Sequence, residues 1–338
     1  MLKKYLPIGL LAAAMLAGQL SAQQSSGKPA PVAKPAAANA ATDGITDRMV
    51  PIKVASQTVK ADPVVLTNQM MLVFMERMKT GNLKEARDIA NEMVFGSEKL
   101  QDTDQKVFKS FHSAMEMELF RLLEQRSGSK REIDWVEQPI SDGYYFLAIL
   151  DFQEGKHEEA LANLQKAIFW NPVRSAFFAE RGFMFLRKNS GADIVSAQVA
   201  YEKALELADN PEDFAAALRG LAFVLVERRE LQKALACLIV SKEFDADESD
   251  ADEEIQFIRG IDPGLVASMN LKTARDVLKN AKILSTYAPE HVAVLVRLAD
   301  SYKSPKDAQR AVLLLKKAKE MAPGNTEVAN RLKVLEKK

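Results

Sequence analysis

The hydrophobic positions of this chain fall into repeated pairs of helical segments. In each pair, apolar residues recur three or four positions apart, first before a turn and then after it. This interval places them on one face of an α-helix, so each pair predicts two amphipathic helices. The best-defined copy consists of Tyr144, Leu147, Ala148, Gly155, Ala160, Leu164, Ala167 and Pro172. Here Gly155 supplies the turn, and Pro172 ends the second helix because proline cannot occupy a helix interior.

Copies of this pattern occur along much of the chain. Pro289 and Pro323 enclose the last copy, and weaker copies surround Ala86, Ala197 and Ala234. Small side chains at the shared positions let paired helices approach closely, whereas large ones fill the space between them. A single pair of helices cannot bury its own apolar face, so the copies must stack on one another. The sequence therefore predicts an all-α array of helix-turn-helix units.

At these positions the chain resembles the tetratricopeptide-repeat (TPR) family, whose units of about 34 residues end in proline. The last copy carries the family's spacing at Leu298, Ala299, Tyr302, Ala311, Leu315, Ala318 and Pro323. The resemblance implies an all-α, TPR-type helix-turn-helix solenoid, preceded here by a disordered N-terminal segment. It also implies that the first helix of each unit lines a concave groove, in which a protein or peptide partner binds.

Pattern and composition divide the chain into segments of different character. In chain order these are a signal peptide at 1–22, a low-complexity Pro/Ala-rich linker at 23–61, a repeat plus a long helix at 62–126, a hinge at 127–140, TPR-like repeats at 141–247, an irregular acidic segment with a degenerate repeat at 248–288, and a last repeat with a capping helix at 289–338. The long helix is expected over Asp104–Arg126. We expect no β-sheet, because no segment alternates apolar and polar residues for long enough.

The N-terminus has the features of a secretory signal. Lys3 and Lys4 precede an apolar stretch from Leu6 to Gly18, and the small Ala22 provides a cleavage site. The stretch is short for a membrane-spanning helix, so we expect cleavage and no integral membrane span in the mature protein. An uncleaved anchor is the alternative. The expected location is the periplasm, with an extracellular or envelope-associated position as the alternative.

Composition argues against nucleic-acid binding and against metal or redox chemistry. The formal charge is zero, from 46 basic and 46 acidic side chains, so no basic excess is available to a phosphate backbone. Cys237 is the only cysteine and lies among apolar residues, which predicts a small buried side chain and not a reactive thiol. The three histidines are scattered. We expect no disulfide, no metal and no cofactor.

Three short motifs have a possible chemical meaning and a simpler one. His157 begins a segment like a zinc-protease motif but lacks the second histidine, so we interpret it as a polar helix start. Ser127 and Lys130 match a serine–lysine nucleophile pattern, but they fall in a Gly/Ser loop without the partner motifs. The acidic run 245–254 departs from a calcium-binding loop at several positions. We interpret that run as a solvated loop, with calcium or a basic partner as alternatives.

The resemblance assigns the binding surface to particular positions of each first helix. Carried onto this sequence, the hypothesised groove residues are Met71, Met75, Tyr145, Ile149, Phe152, Phe183, Arg219 and Phe223. A groove rich in methionine and aromatic side chains suits an amphipathic helix from a partner, which buries its apolar face on binding. The alternative is that these side chains pack against neighbouring helices, and the sequence leaves both possibilities open.

The expected function is a binding scaffold without catalytic activity. The predicted location suggests a role in envelope assembly, secretion or surface-structure biogenesis. One alternative is a structural envelope component that associates with itself, and another is an accessory subunit of an envelope enzyme. An enzyme would show a pocket with convergent titratable groups, a scaffold an open apolar groove, and a self-assembling protein complementary ends.

Overall fold

The computed structural model describes residues 50–54, 57–61, 63–188, 191–244, 249–302 and 308–336. These residues are mainly helical, which confirms the predicted all-α fold class. The predicted signal peptide, most of the Pro/Ala-rich linker and part of the acidic run lie outside the described residues.

Fifteen α-helices follow one another in the described ranges. They are α1 (Pro63–Lys79), α2 (Leu83–Val94), α3 (Ala114–Arg126), α4 (Ile140–Gln153), α5 (His157–Trp170), α6 (Ser175–Lys188), α7 (Gly191–Leu207), α8 (Pro211–Glu227), α9 (Leu231–Ser241), α10 (Ser249–Ile261), α11 (Pro263–Ser268), α12 (Leu271–Asn280), α13 (Pro289–Ser301), α14 (Ala308–Met321) and α15 (Thr326–Leu335). The strands are β1 (Val50–Val54), β2 (Gln57–Ala61), β3 (Lys106–Lys109) and β4 (Glu132–Trp135).

Most of the helices pair into hairpins, which stack in chain order. The pairs are α1 with α2, α4 with α5, α6 with α7, α8 with α9, and α13 with α14. Helix α4 also packs against α2, α6 packs against α5, and α8 packs against both α6 and α7, so each of the first three hairpins is covered by the next. The stacked hairpins follow the arrangement that the apolar pattern predicts, in which no pair of helices buries its face alone.

Glycines and alanines shape the hairpins, as the sequence predicts for Gly155 and for the small shared positions. Gly81 and Gly155 have φ angles of 74° and 77° in the turns between paired helices, a backbone region that is readily available only to glycine. Ala160 and Ala167 on α5 are completely buried, where their small side chains let the helices approach. These residue types therefore set both the turn and the helix-to-helix distance.

The joint between the third and fourth hairpins is built around one aromatic ring. Gly182 on α6 and Gly220 on α8 both lie against the ring of Tyr201 on α7. A Cβ atom on Gly220 would lie 2.0 Å from Tyr201 Cε1, and one on Gly182 would lie 2.7 Å from Tyr201 Cε2. Glycine is therefore required at both positions because the Tyr201 ring lies so close, and not because of the backbone angles.

The segment between the first and second hairpins differs from the prediction. The sequence predicts a single helix over Asp104–Arg126 and no sheet, and both expectations are wrong. Residues Lys106–Lys109 form β3, which pairs in parallel with β4, and α3 begins only at Ala114. The strand spans four residues, too few for an alternating pattern, and its partner is distant in sequence. We call residues 106–135 the βαβ insert.

Aromatic packing holds the βαβ insert together. The ring of Phe111 lies 5.6 Å from that of Phe120 on α3 and 6.1 Å from that of Trp135 on β4. The Trp135 Nε1–H donates to the Phe111 carbonyl at 3.1 Å. Hydrogen bonds also join the insert to the array, because the Ser110 N–H donates to the carbonyl of Trp170 at the end of α5. The insert is therefore docked on the end of the second hairpin.

The C-terminal region is less regular before the last hairpin. Helix α10 ends at Ile261, and Pro263 begins the six-residue α11, so the expected degenerate repeat has no full first helix. Asn325 caps the start of the final helix α15, with its Oδ1 accepting from the Val328 N–H at 3.1 Å. In the part of the chain that the structure describes, no helix has the length and apolar character needed to cross a membrane.

Candidate functional site

The hypothesised groove residues lie on the first helices of four consecutive hairpins, α1, α4, α6 and α8. Five of them are buried, namely Met71, Tyr145, Ile149, Phe183 and Arg219. Three are partly exposed, namely Met75, Phe152 and Phe223. Met78 and Val226 are also partly exposed and lie one helical turn further along α1 and α8. We call Met75, Met78, Phe152, Phe223 and Val226 the first-helix row.

The buried members pack between neighbouring helices, which is the alternative that the sequence left open. The ring of Tyr145 lies 5.1 Å from that of Phe177, which follows on the next first helix. The ring of Phe183 lies 5.6 Å from that of Phe152. Within the predicted set, the surface that a partner can reach is therefore confined to the second half of α1, α4 and α8.

A charged side chain lies inside the array beside the tyrosines. Glu180 on α6 is completely buried. Burial raises the pKa of Tyr145 and of Tyr201 well above the usual range, and the negative charge of Glu180 raises both further. Both phenols therefore stay protonated at physiological pH and keep an O–H group that can donate a hydrogen bond.

A polar cluster joins the βαβ insert to the array. Glu116 Oε2 on α3 accepts from the backbone N–H of His112 at 2.6 Å and from Asn171 Nδ2 at 2.8 Å. The Arg174 guanidinium lies 3.6 Å from Asp142 Oδ1 and 3.8 Å from Glu116 Oε1. Burial alone would raise the pKa of Asp142, but the charge of Arg174 and the contact with His112 hold it below its usual value. The cluster therefore acts as an electrostatic anchor for α3.

Helix α3 also contacts the last hairpin, far away in sequence. Arg126 Nη1 lies 2.5 Å from Glu290 Oε1 on α13, and Arg297 Nη1 donates to Gln125 Oε1 at 3.4 Å. Arg297 also lies 3.9 Å from Glu118. We call this contact of α3 with α13 the seam.

A shallow cleft of about 370 Å³ opens along the seam. It is lined by Glu118, Arg121, Gln125, Arg297, Leu298 and Ser301. The Arg121 Nη1–H donates to Glu118 Oε1 at 2.5 Å, so the buried carboxylate is already paired. The cleft thus lies between two helices that the sequence did not bring together, and all of its lining residues except Leu298 carry polar side chains.

Ser127 and His157 have the simpler meanings in the structure, whereas the described part of the acidic run, residues 249–254, is not the expected loop but the start of helix α10. Ser127 donates its hydroxyl to the carbonyl of Glu124 at 2.8 Å and caps the end of α3. His157 begins α5 as an exposed residue. Cys237 is completely buried, and burial raises the pKa of its thiol, so the thiolate is strongly disfavoured. The described part of the chain contains no group of three or more His, Cys, Asp or Glu side chains placed to hold a metal ion.

Sequence reasoning missed the βαβ insert and the seam. One available signal was the Ser113–Glu116 spacing, which is typical of a helix start, and the Ser113 Oγ indeed accepts from the Glu116 N–H at 3.2 Å. The pairing of Arg126 with Glu290 has no signal in the sequence, because single charges do not specify a distant partner.

Comparison with known proteins does not assign a family to the chain. No protein-family model matches it, and the comparison with curated proteins found no similar sequence.

Proposed function

We propose that the chain is a secreted, periplasmic TPR-type scaffold that binds a helix or peptide of another protein. The observation that carries this proposal is the first-helix row. Its apolar side chains are partly exposed on the first helices of three hairpins, α1, α4 and α8. Proteins generally use such exposed apolar rows on rigid elements to bind partners.

The packing beneath the row supports this role. Each first helix is backed by a second helix whose small residues are fully buried, as Ala160 and Ala167 are on α5. The row is therefore held on a rigid support, so little conformational entropy is lost when a partner binds. Burial of apolar surface would contribute about 25 cal/mol per Å², before the costs of association.

The cellular process follows from the proposed location. A signal peptide at 1–22 would direct the chain across the inner membrane, where a binding scaffold serves envelope assembly, secretion or surface-structure biogenesis. The alternatives are a self-associating structural component and an accessory subunit of an envelope enzyme. They differ from the main proposal in what the first-helix row would contact.

Site-specific photocrosslinking tests the proposal. A photoreactive residue in place of Met75 should crosslink one protein partner in the envelope of the producing cell. The Phe152→Asp/Phe223→Asp variant should reduce that yield at least tenfold, because a buried carboxylate costs several kcal/mol of binding. The matched control is Val199→Asp on α7, a second-helix residue that is 57% exposed, and it should leave the yield unchanged.

The outcomes separate the candidates. Helical content, measured by circular dichroism, should be the same in both variants and the wild type. Crosslinks between two copies of the chain would support self-association instead. Equal loss of crosslinking in Val199→Asp, or loss of helical content in the double variant, would contradict a binding surface at the row.

A further inference from the structure

Two small sheets accompany the helical array. Strands β1 and β2 form an antiparallel hairpin, and β3 and β4 form a parallel pair. A sheet of two strands is only marginally stable in water, and three or more strands with an apolar face are usually needed. Each of these sheets is therefore below the usual size.

The outer edge of β3 is closed by its own surroundings. The N–H of Lys106 donates to Thr103 Oγ1 at 3.0 Å, and that of Phe108 donates to Asp102 Oδ1 at 2.9 Å. The next outward N–H, that of Ser110, donates to the Trp170 carbonyl at 2.9 Å. No further strand can pair along this edge without displacing these bonds.

The outer edge of β4 is open. The N–H groups of Glu132 and Val136 donate to carbonyls of the β3 segment at 2.7 Å each. Because successive residues of a strand present their backbone groups to opposite sides, Ile133 and Trp135 face away from β3. Among the described residues, the backbone N–H and C=O groups of these two have no hydrogen-bond partner. The edge thus offers two donors and two acceptors.

Chain connectivity brings the two sheets to the same end of the first hairpin. Gln138, just after β4, donates to the carbonyl of Met93 at the end of α2 at 2.7 Å. Helices α1 and α2 run in opposite directions through the Gly81 turn, so α1 begins where α2 ends. Strand β2 ends at Ala61, two residues before α1 begins at Pro63.

We propose that β4 is the acceptor edge for the chain's own N-terminal hairpin, so that β1–β2 and β3–β4 join into one sheet of four strands. Charge supports this choice of occupant. Glu132 on β4 is exposed, whereas the hairpin sequence carries Lys53 and Lys60 among β-branched residues. Opposite charges on adjacent strands attract. Each strand of the N-terminal hairpin has five residues and spans about 17 Å. This length exceeds the ~10 Å distance between the axes of packed helices, so the hairpin can reach from the start of α1 to β4.

The joined sheet would fix the start of the folded region to the βαβ insert, which goes beyond partner binding at the first-helix row. It does not depend on that row. Hydrogen exchange of the Ile133 and Trp135 amides in the full chain, followed by NMR, tests it. In the joined sheet these amides are bonded, so they should exchange at least tenfold more slowly than in the Lys53→Glu/Lys60→Glu variant. Adding Glu132→Lys to that variant should restore protection.

Two further variants sharpen the experiment. Lys79→Glu/Lys84→Glu changes two exposed lysines of the first hairpin and should leave the exchange of both amides unchanged. Ile133→Pro removes only an outward N–H, so the inner Asp134 amide should stay protected while the amides of β1 and β2 exchange faster.

Three results would overturn the inference. The Ile133 and Trp135 amides could exchange as fast as those of an unstructured peptide in the wild type. Their protection could be unaffected by the two lysine substitutions. Protection that increases with protein concentration would assign the edge to a second copy and not to the chain's own hairpin.

Discussion

Asp213 lies in the first turn of α8 and shows how burial changes the chemistry of a single carboxyl group. Asn210 caps this helix, since its Oδ1 accepts from the Asp213 N–H at 2.8 Å and its Nδ2 donates to Asp213 Oδ2 at 3.0 Å. Burial raises the pKa of Asp213 from 3.8 to about 6, and the neighbouring Asp209 also raises it. The folded state therefore holds this proton at pH values where the unfolded chain has released it.

The sign of the pH effect follows from that difference. The contribution of Asp213 to stability is fully present below about pH 4 and is lost as the pH rises through about 6. We expect Asp213→Asn to stabilise the fold by about 1 kcal/mol at pH 7.5, since partial solvation and the helix dipole reduce the cost of the charge. Near pH 3.5 the variant should match the wild type. Urea unfolding at the two pH values measures this, and a destabilised variant at pH 7.5 would contradict it.

At the scale of elements, the fit between hairpins depends on two glycines, which leave room on the helix surface because they have no side chain. The ring of Tyr201 occupies the space that side chains on Gly182 and Gly220 would need. Glycine is unfavourable inside helices by about 1 kcal/mol relative to alanine, so close packing of the ring must offset that cost. The hairpins α6–α7 and α8–α9 are therefore locked together by contact with one side chain.

Gly220→Ala tests this joint. Although alanine favours the helix, its Cβ would meet the rigid Tyr201 ring at 2.0 Å, so we expect a net loss of about 2 kcal/mol of stability. Gly260→Ala on α10 is the matched control, because no atom lies within 4 Å of its added Cβ. That variant should be neutral or more stable by up to ~1 kcal/mol. Thermal unfolding of both proteins distinguishes packing at the joint from a general effect of alanine.

Elements defined by local pattern could be predicted, and those defined by distant contacts could not. The turns at Gly81 and Gly155 and the cap at Asn325 depend on residues within a few positions of one another. Strands β3 and β4, in contrast, exist only because they pair across the intervening α3. Each strand is too short for its sequence to show an alternation of apolar and polar residues. At β3, the pairing with β4 therefore overrides the helix that the sequence predicts.

The candidate binding surface was predictable in position but not in exposure. The hypothesised residues lie on the first helices of their hairpins, because the helical period fixes which side chains share a face. Whether such a side chain is open depends on how closely the next hairpin packs. Phe183 is covered by Phe152, whereas Phe223 stays partly exposed at the equivalent position of the following repeat.

At the scale of the whole molecule, the seam connects parts of the chain that an open array would keep apart. Helix α3 follows the first hairpin, yet it packs against α13 of the last one. A second contact also connects the last hairpin to an earlier one, since His291 Nε2 on α13 lies 3.1 Å from the Glu206 carbonyl at the end of α7. The last hairpin is therefore held by contacts with earlier hairpins and the insert, and not only by its neighbour in the chain.

Charge reversal across the seam tests how much the contact of α3 with α13 depends on ion pairs. Arg126 is 54% exposed and Glu290 is 26% exposed, so their attraction is worth about 0–1 kcal/mol and is weakened by salt. Arg126→Glu sets two negative charges against each other, and Glu290→Arg sets two positive charges. Each single variant should therefore increase the hydrogen exchange of α3 and α13 several-fold, whereas the double variant, which restores opposite charges, should recover most of the protection.

The location of the change in hydrogen exchange is as informative as its size. Peptides from α8 and α9 should keep their protection in all three proteins, because those helices pack in the middle of the array. Arg228→Glu is the matched control, since this exposed arginine follows α8 and pairs locally with Glu230 at 2.8 Å. It should leave α3 and α13 unchanged. If the single reversals instead loosened α8 and α9 equally, the last hairpin would be part of one cooperative unit, and the seam would not be a separable contact.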